Sequence, residues 1–461
     1  MTDLLDSDAT AIAEAVRAGN VSAREVASAT LSRIAARAPL NAFTHIAEPR
    51  LLAEADAVDR ARSAGTSVGP LAGVPFAVKN LFDLKGVTTL AGAKIERDNP
   101  PAPADAPLVR RLGAAGATCA GALNMGEYAY DFTGENCHDG ASKNPHDLGR
   151  MTGGSSGGSG AAVAGGLVPL ALGSDTNGSI RVPASFCGIF GLKPTYGRLP
   201  RTGTTPFVDS LDHLGPLARS VRDLALSLAA MEGFDAGDPA SIEGLAPAGP
   251  ADAKGLRVAR LGGWFSGQGE PVSDAAADAV ATALGASDVL DLSGVAAARA
   301  AAFIITMVEG AALHMDAIRT RPHDFDPAVR DRLVAGALLP GVHYVTAQRI
   351  RRAFQATMRA AFSKFDVLVA PATPMRAPLL GTQTVTLAGE EVLLRPNIGI
   401  YTQPISFVGL PVVTCPVPQP DGLPIGVQLI APAFREDFAL SAAATLEAAG
   451  VAAAPPVYAG V

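Results

Sequence analysis

The sequence predicts an α/β fold in which a central mixed β-sheet is covered by α-helices on both faces. Apolar runs of strand length, such as Pro75–Lys79, alternate with alanine-rich helical runs through the first two hundred residues. Further apolar runs of the same length recur in the last hundred residues and are expected to join the same sheet. With 48% hydrophobic residues and a mean hydropathy of +0.24, the chain can bury a large core. Its 461 residues would allow about three domains by length alone. The uninterrupted alternation instead predicts one domain over 1–461, with a helical layer over 1–67 and a core over 68–200.

Taken in order, the chain opens with helices. Gly19 closes the first, and Ser22 with Glu25 forms an S-x-x-E capping box for a second whose apolar side carries Val26 and Ile34. A third helical run over 51–64 ends at Gly65. The first strong strand pattern is PFAVK, ending at Lys79. Asp105 is expected to cap a helix running through Arg111, followed by a strand over 117–121. A helix over 161–164 and a strand over 168–172 continue the alternation. Residues 234–255 hold repeated Gly and Pro and few large apolar side chains, which predicts a surface connection. A strand over 256–261, helices from Ser273 and Ala296, and a basic amphipathic helix near 349–364 follow. Strands over 366–370, 411–416 and 424–430 and a helix near 437–449 close the chain.

A net charge of −7 and a pI near 5.6 remove the usual electrostatic reason to bind nucleic acid or an anionic membrane. Cys119, Cys137, Cys187 and Cys415 lie far apart with no CxxC pair, which predicts buried thiols in a reducing compartment. The opening MTDLLDSDATAIAEAV has no basic region leading into a long apolar stretch, so no secretory leader is expected. No run approaches ~20 uninterrupted apolar residues, so no membrane span is expected either. The expected compartment is the cytoplasm. No His/Cys/Asp cluster has ligand spacing, so neither a metal nor an organic cofactor is expected. His138 and His146 read as surface hydrogen-bonding residues.

The chemistry concentrates in 153–184, GGSSGGSGAAVAGGLVPLALGSDTNGSIRVPA, where glycines surround serines in two clusters. Such clusters let backbone N–H groups approach a carbonyl oxygen beside an exposed hydroxyl. Gly153-Gly-Ser155-Ser-Gly157 fits G-x-S-x-G, but a nucleophile elbow needs an apolar strand directly before it and a late histidine. NPHDLGRMT precedes the motif, and the last histidine is His343. A phosphate loop would end in G-K-[ST], whereas Gly158-Ser-Gly160 stands here. The remaining option is a serine activated by lysine. A neutral amine takes a hydroxyl proton once burial lowers its pKa, and Lys79 at a strand end is placed for that. Alone, such a lysine is more often a surface charge with a buried stem.

Gly73-Val-Pro-Phe-Ala-Val-Lys79-Asn, Gly153-Gly-Ser155-Ser-Gly-Gly-Ser and Asp175-Thr-Asn-Gly-Ser179-Ile-Arg-Val-Pro-Ala together resemble the amidase signature family. Phe365-Asp-Val-Leu-Val-Ala-Pro371 and Gly422-Leu-Pro-Ile-Gly-Val-Gln428 extend the resemblance over nearly the whole chain. It implies an amidase signature fold, Ser179 as nucleophile, Ser155 as a bridging serine with a cis peptide bond, and Lys79 as base. It further implies an oxyanion hole from the N–H groups of Thr176, Asn177, Gly178 and Ser179. Ser156, Asp175 and Arg181 are implied as supports behind these groups. Asn177 departs from the family's usual glycine. Asparagine tolerates left-handed backbone angles, and its side chain would narrow the site and offer an amide to a small polar substrate.

Residues 79–92, 174–185, 261–265 and 347–352 resemble one branch of that family, which acts on carboxybiuret in cyanuric acid degradation. The resemblance implies release of ammonia from a terminal carbamoyl group. It also implies a small helical partner subunit, with a homodimer or heterotetramer as the assembly. The rival reading is the glutaminase subunit of the aspartyl/glutamyl-tRNA amidotransferase, which Asn124-Met-Gly-Glu-Tyr128 and Val329-Arg-Asp-Arg332 also resemble. A general small-amide amidase is the third. Met125, Tyr128 and Arg332 are the implied substrate contacts, Arg332 matching an arginine that holds a carboxylate. The acidic partner of glutamine's ammonium falls at Gly399.

Overall fold

The computed structural model describes residues 2–249 and 251–460, with the side chains of residues 2 and 3 left aside. Eleven strands form the central sheet: β1 (Phe43–Ile46), β2 (Pro75–Lys79), β3 (Thr118–Leu123), β4 (Leu170–Asp175), β5 (Phe190–Lys193), β6 (His213–Ala218), β7 (Val258–Leu261), β8 (Asp288–Leu290), β9 (Val367–Pro371), β10 (Val412–Val417) and β11 (Ile425–Ile430). Their order is β1-β3-β2-β4-β6-β5-β10-β11-β9-β7-β8. β2 runs parallel to both β3 and β4, whereas β4, β6, β5, β10, β11 and β9 pair antiparallel in turn. β9, β7 and β8 are parallel again. The sheet is therefore mixed, with helices over it, as expected.

β2, β3 and β4 are buried at every position, which is why they read as apolar runs and not as alternating patterns. Pro75 sits at the first residue of β2, where its missing N–H does least harm to the ladder. The late strands join the sheet as anticipated. The N-terminal layer is not wholly helical, because β1 forms one edge by pairing antiparallel with β3.

Local signals hold at the first helices. Gly19 closes Ala9–Ala18 at φ +76°, and Ser22 and Glu25 form the reciprocal capping box of Ala23–Ala36. Two expectations are corrected. Asp105 does not cap Pro107–Ala114: its carboxylate is taken by Arg50 (2.7 and 3.0 Å) and the Lys85 N–H (2.8 Å), and the helix starts behind Ala106 with Pro107 in its first turn. Cys137 is exposed in a loop, its Sγ 3.5 Å from His138 Nε2, while Cys119, Cys187 and Cys415 are buried thiols. His138 itself is largely enclosed, with Nε2 2.8 Å from Glu127 Oε1. Residues 234–255 carry no helix or strand among the described residues.

Val295–Thr320 is long and apolar enough, by length and composition, to cross a membrane. In the fold it packs against Pro327–Ala337 and Gly341–Phe362 and buries Ala298, Ile305 and Thr306.

Gly157–Ala164 lies beside β2 and β4 with every residue buried. Small residues let it approach this closely: a Cβ on Gly158 would lie 2.5 Å from both the backbone N and O of Asn124. Gly158→Ala is expected to destabilise the fold by ~1–3 kcal/mol through overpacking against backbone that cannot yield. A urea midpoint equal to that of the wild type would contradict this.

Candidate active site

β2 ends at Lys79, whose side chain is wholly buried and not directed to solvent. Its Nζ lies 2.6 Å from Ser155 Oγ and 2.8 Å from Ser174 Oγ. Burial pushes its pKa down to about 7, against the opposing charges of Asp212, Asp175 and Asp131. Near neutrality a large fraction of this amine is therefore unprotonated.

Ser155 follows a cis Gly154–Ser155 peptide bond and precedes the Gly157–Ala164 helix. Its carbonyl accepts from Gly126 N–H at 3.1 Å. Ser156 is turned the other way, with Oγ 3.2 Å from Ser174 O and 3.3 Å from Ser174 N, so it ties this segment to β4. Ser174 was missed in the sequence. It stands five residues before Ser179 in GSDTNGS, and strand alternation along β4 is the only signal that could have pointed its hydroxyl toward Lys79.

Ser179 lies in the loop between β4 and the Arg181–Cys187 helix, 2% exposed, in the wall of a narrow cavity. Among the described residues, the N–H groups of Thr176, Asn177, Gly178 and Ser179 have no protein acceptor. Gly178 adopts φ +144°, a conformation that a residue with a Cβ rarely takes. The rest of the loop is pinned from several sides. Thr176 Oγ1 donates to Asp212 Oδ1 (2.6 Å), Asn177 Nδ2 to Thr306 Oγ1 (2.9 Å), and Thr402 Oγ1 to Asn177 O (2.7 Å).

Beneath the loop, Asp175 and Arg181 form a bidentate ion pair with both N–O distances at 2.9 Å and both side chains fully buried. Burial alone would raise the Asp175 carboxyl, but the Arg181 guanidinium outweighs it and holds the group well below the usual carboxylate range. Arg181 also donates to Gln428 Oε1 (2.6 Å), Thr402 O (3.1 Å) and Ser406 Oγ. Ile180 N–H and Ser406 Oγ donate to the carboxylate at 3.2 and 2.9 Å.

The cavity that Ser179 lines is also walled by Arg332, Arg395, Thr306 and Gln403. Arg332 is partly buried. Its Nε donates to Ala328 O (2.7 Å), one Nη2 hydrogen goes to Tyr130 O, and its guanidinium stacks 3.8 Å from the Tyr130 ring centroid. Burial lowers its pKa. Arg395, which sequence reasoning did not single out, bonds Asp131 (3.2 Å) and Glu135 (3.0 Å). Met125 and Tyr128 are buried but not in this wall: Tyr128 turns its hydroxyl to Glu96 (2.8 Å) and its ring against His314. At Gly399 the Phe132 ring fills the side-chain position, its Cζ 2.5 Å from where a Cβ would stand. A second cavity of ≈ 300 Å³ opens beside Ser174 and shares Ala129 and Phe207 with the first.

A buried amine, serine hydroxyls and a loop of unpaired N–H groups are the parts that acyl transfer requires. The chain belongs to the amidase signature family, whose model matches residues 25–440. It is 53% identical to AtzE of the 1-carboxybiuret hydrolase of Pseudomonas sp. (strain ADP), over 96% of this chain and 98% of that one. It is 40% identical to a glutamyl-tRNA(Gln) amidotransferase component of Ralstonia nicotianae, over 91% and 92% of the two chains. A structure described as an unexpected vestigial protein complex revealing the evolutionary origins of an s-triazine catabolic enzyme superposes with a TM-score of 0.95. The match has 51% identity and covers 97% of this chain and 100% of that chain.

Asp175→Asn would leave the Arg181 charge buried without a counter-ion. The expected loss is about 3–5 kcal/mol of stability, read from denaturant unfolding, and a loss below ~1 kcal/mol would show that the pair is dispensable.

Proposed function

We propose that this amidase removes the terminal carbamoyl nitrogen of a small anionic urea derivative, 1-carboxybiuret, and releases it as ammonia. The observation that carries the mechanism is the buried Lys79 amine, 2.6 Å from Ser155 and with its pKa near 7. In this reading the neutral amine takes the Ser155 proton as Ser155 takes that of Ser179. Ser179 Oγ attacks the carbamoyl carbon, and the four unpaired N–H groups at 176–179 receive the developing oxyanion. As the tetrahedral intermediate collapses, the C–N bond breaks and the proton passes back through Ser155 to the departing nitrogen, giving ammonia. Water then enters along the same relay and cleaves the acyl-enzyme, leaving a dicarboxylated urea and free Ser179.

The choice of an anionic substrate is supported by Arg332. Two of its five N–H groups are used by Ala328 and Tyr130, and the remaining three suit a carboxylate in the cavity. A glutaminase subunit is the second reading, favoured by the same arginine. Against it, Phe132 occupies the space in front of Gly399, so no acidic side chain stands there to hold an ammonium group. The proposal extends to a small helical partner subunit, to a homodimer or heterotetramer as the assembly, and to the cytoplasm as the place of work. The relative solved as a protein complex supports the partner. Co-expression and mass measurement in solution would test it.

The deciding assay is ammonia release by the purified chain, with its partner, from carboxybiuret, biuret, allophanate, glutamine and simple aliphatic amides. Carboxybiuret is expected to have the highest kcat/KM; glutamine in that place would favour the second reading. Ser179→Ala is expected to lower kcat by roughly a thousandfold or more and to abolish labelling by a fluorophosphonate probe. Retained labelling would move the nucleophile elsewhere. Because the base is the unprotonated amine, kcat/KM should fall about tenfold per pH unit below pH 7 and level off above it. A profile flat from pH 5 to 8 would exclude Lys79 as the titrating base.

A further inference from the structure

We infer that the Asn177 side chain is a specificity residue that reads an N–H group next to the attacked carbonyl, an assignment that rests on the carbamoyl-hydrolase reading above. Asn177 is 7% exposed and lines the cavity that Ser179 lines. Its Nδ2 donates to Thr306 Oγ1 at 2.9 Å, which fixes the carboxamide against the Val295–Thr320 helix. Its Oδ1 is buried and accepts no hydrogen bond. A buried carbonyl oxygen without a donor is costly, so one left this way in the wall of a reactive cavity is set for a ligand.

Of the other polar side chains of the wall, the Tyr130 hydroxyl is also buried without a partner, but it can donate as well as accept and so does not discriminate for an N–H. Arg332 and Arg395 carry only donors. Asp131 has both oxygens occupied, by the Thr133 N–H and hydroxyl, the Gly134 N–H and Arg395. Gln403 Oε1 already accepts from Arg299 at 3.0 Å. Asn177 also contributes one of the four unpaired backbone N–H groups. One residue thus offers a donor from its backbone and an acceptor from its side chain. On the side away from the leaving nitrogen, that pairing is complementary to a carbonyl with an N–H beside it, the –NH–CO– unit of ureido and imide compounds. An alkyl amide presents a methylene at the same place and leaves the acceptor unpaired. A site built this way rejects the analogue that lacks the donor far more strongly than shape alone would.

The test compares kcat/KM for carboxybiuret with that for its analogue in which a methylene replaces the N–H beside the terminal carbamoyl group. The wild-type ratio should fall by about tenfold or more in Asn177→Gly. It should also fall in Thr306→Val, which frees the carboxamide without altering the loop backbone. Taking the variant ratio over the wild-type ratio cancels the intrinsic reactivity of the two compounds. Carboxybiuret turnover with the ratio unchanged in both variants, or a loss shared equally by both compounds, would overturn this assignment and leave the proposed function standing. A wild type that hydrolyses glutamine but neither ureido compound nor its analogue would overturn both.

Discussion

Everything at the centre of this molecule follows from placing a lysine amine where water cannot solvate its charge. An ammonium deprived of water loses its proton more readily, and at Lys79 that loss brings the pKa from 10.5 to about 7. Two serine hydroxyls, from Ser155 and Ser174, replace the missing solvent at 2.6 and 2.8 Å. They can accept from the charged amine or donate to the neutral one, so the group stays satisfied in either protonation state. A carboxylate in contact would have fixed the charge on the amine. The aspartates that influence it act from a distance, and each is committed to other partners, such as Asp175 to Arg181.

The second requirement is that the loop after β4 hold its N–H groups away from the protein. Left to itself, a buried backbone pairs its donors. Here the side chains take up the restraint instead: Thr176 to Asp212, Asn177 to Thr306, and Asp175 to Arg181 below. Restraint from outside the backbone keeps four donors unspent. The buried ion pair is thus less a source of stability than a means of fixing one conformation, at a desolvation cost that its many hydrogen bonds offset.

Much of this was legible in the residues. Strands such as Pro75–Lys79 were readable because burial on both faces makes a continuous apolar run, and the first helices because their caps are local hydrogen bonds. The residues of the Gly/Ser block were recognisable because close backbone approach demands them. What escaped was set by distant chain. Asp105 has the look of a cap, yet Arg50, far away in sequence, claims its carboxylate. Ser174 has no local distinction and matters only because β4 lies beside β2. Arg395 comes from a segment without a motif, and the closing of the Gly399 position depends on the ring of Phe132. Cys137 is exposed because loop placement, not composition, decides its burial.

The partners of Arg181 are scattered along the chain: Asp175 just before it, then Thr402, Ser406 and finally Gln428 on β11. A ribosome making this polypeptide therefore finishes the serines and the lysine long before it finishes what holds them in place. Until Gln428 on β11 has been made, Arg181 lacks one of the bonds that fix the loop above it.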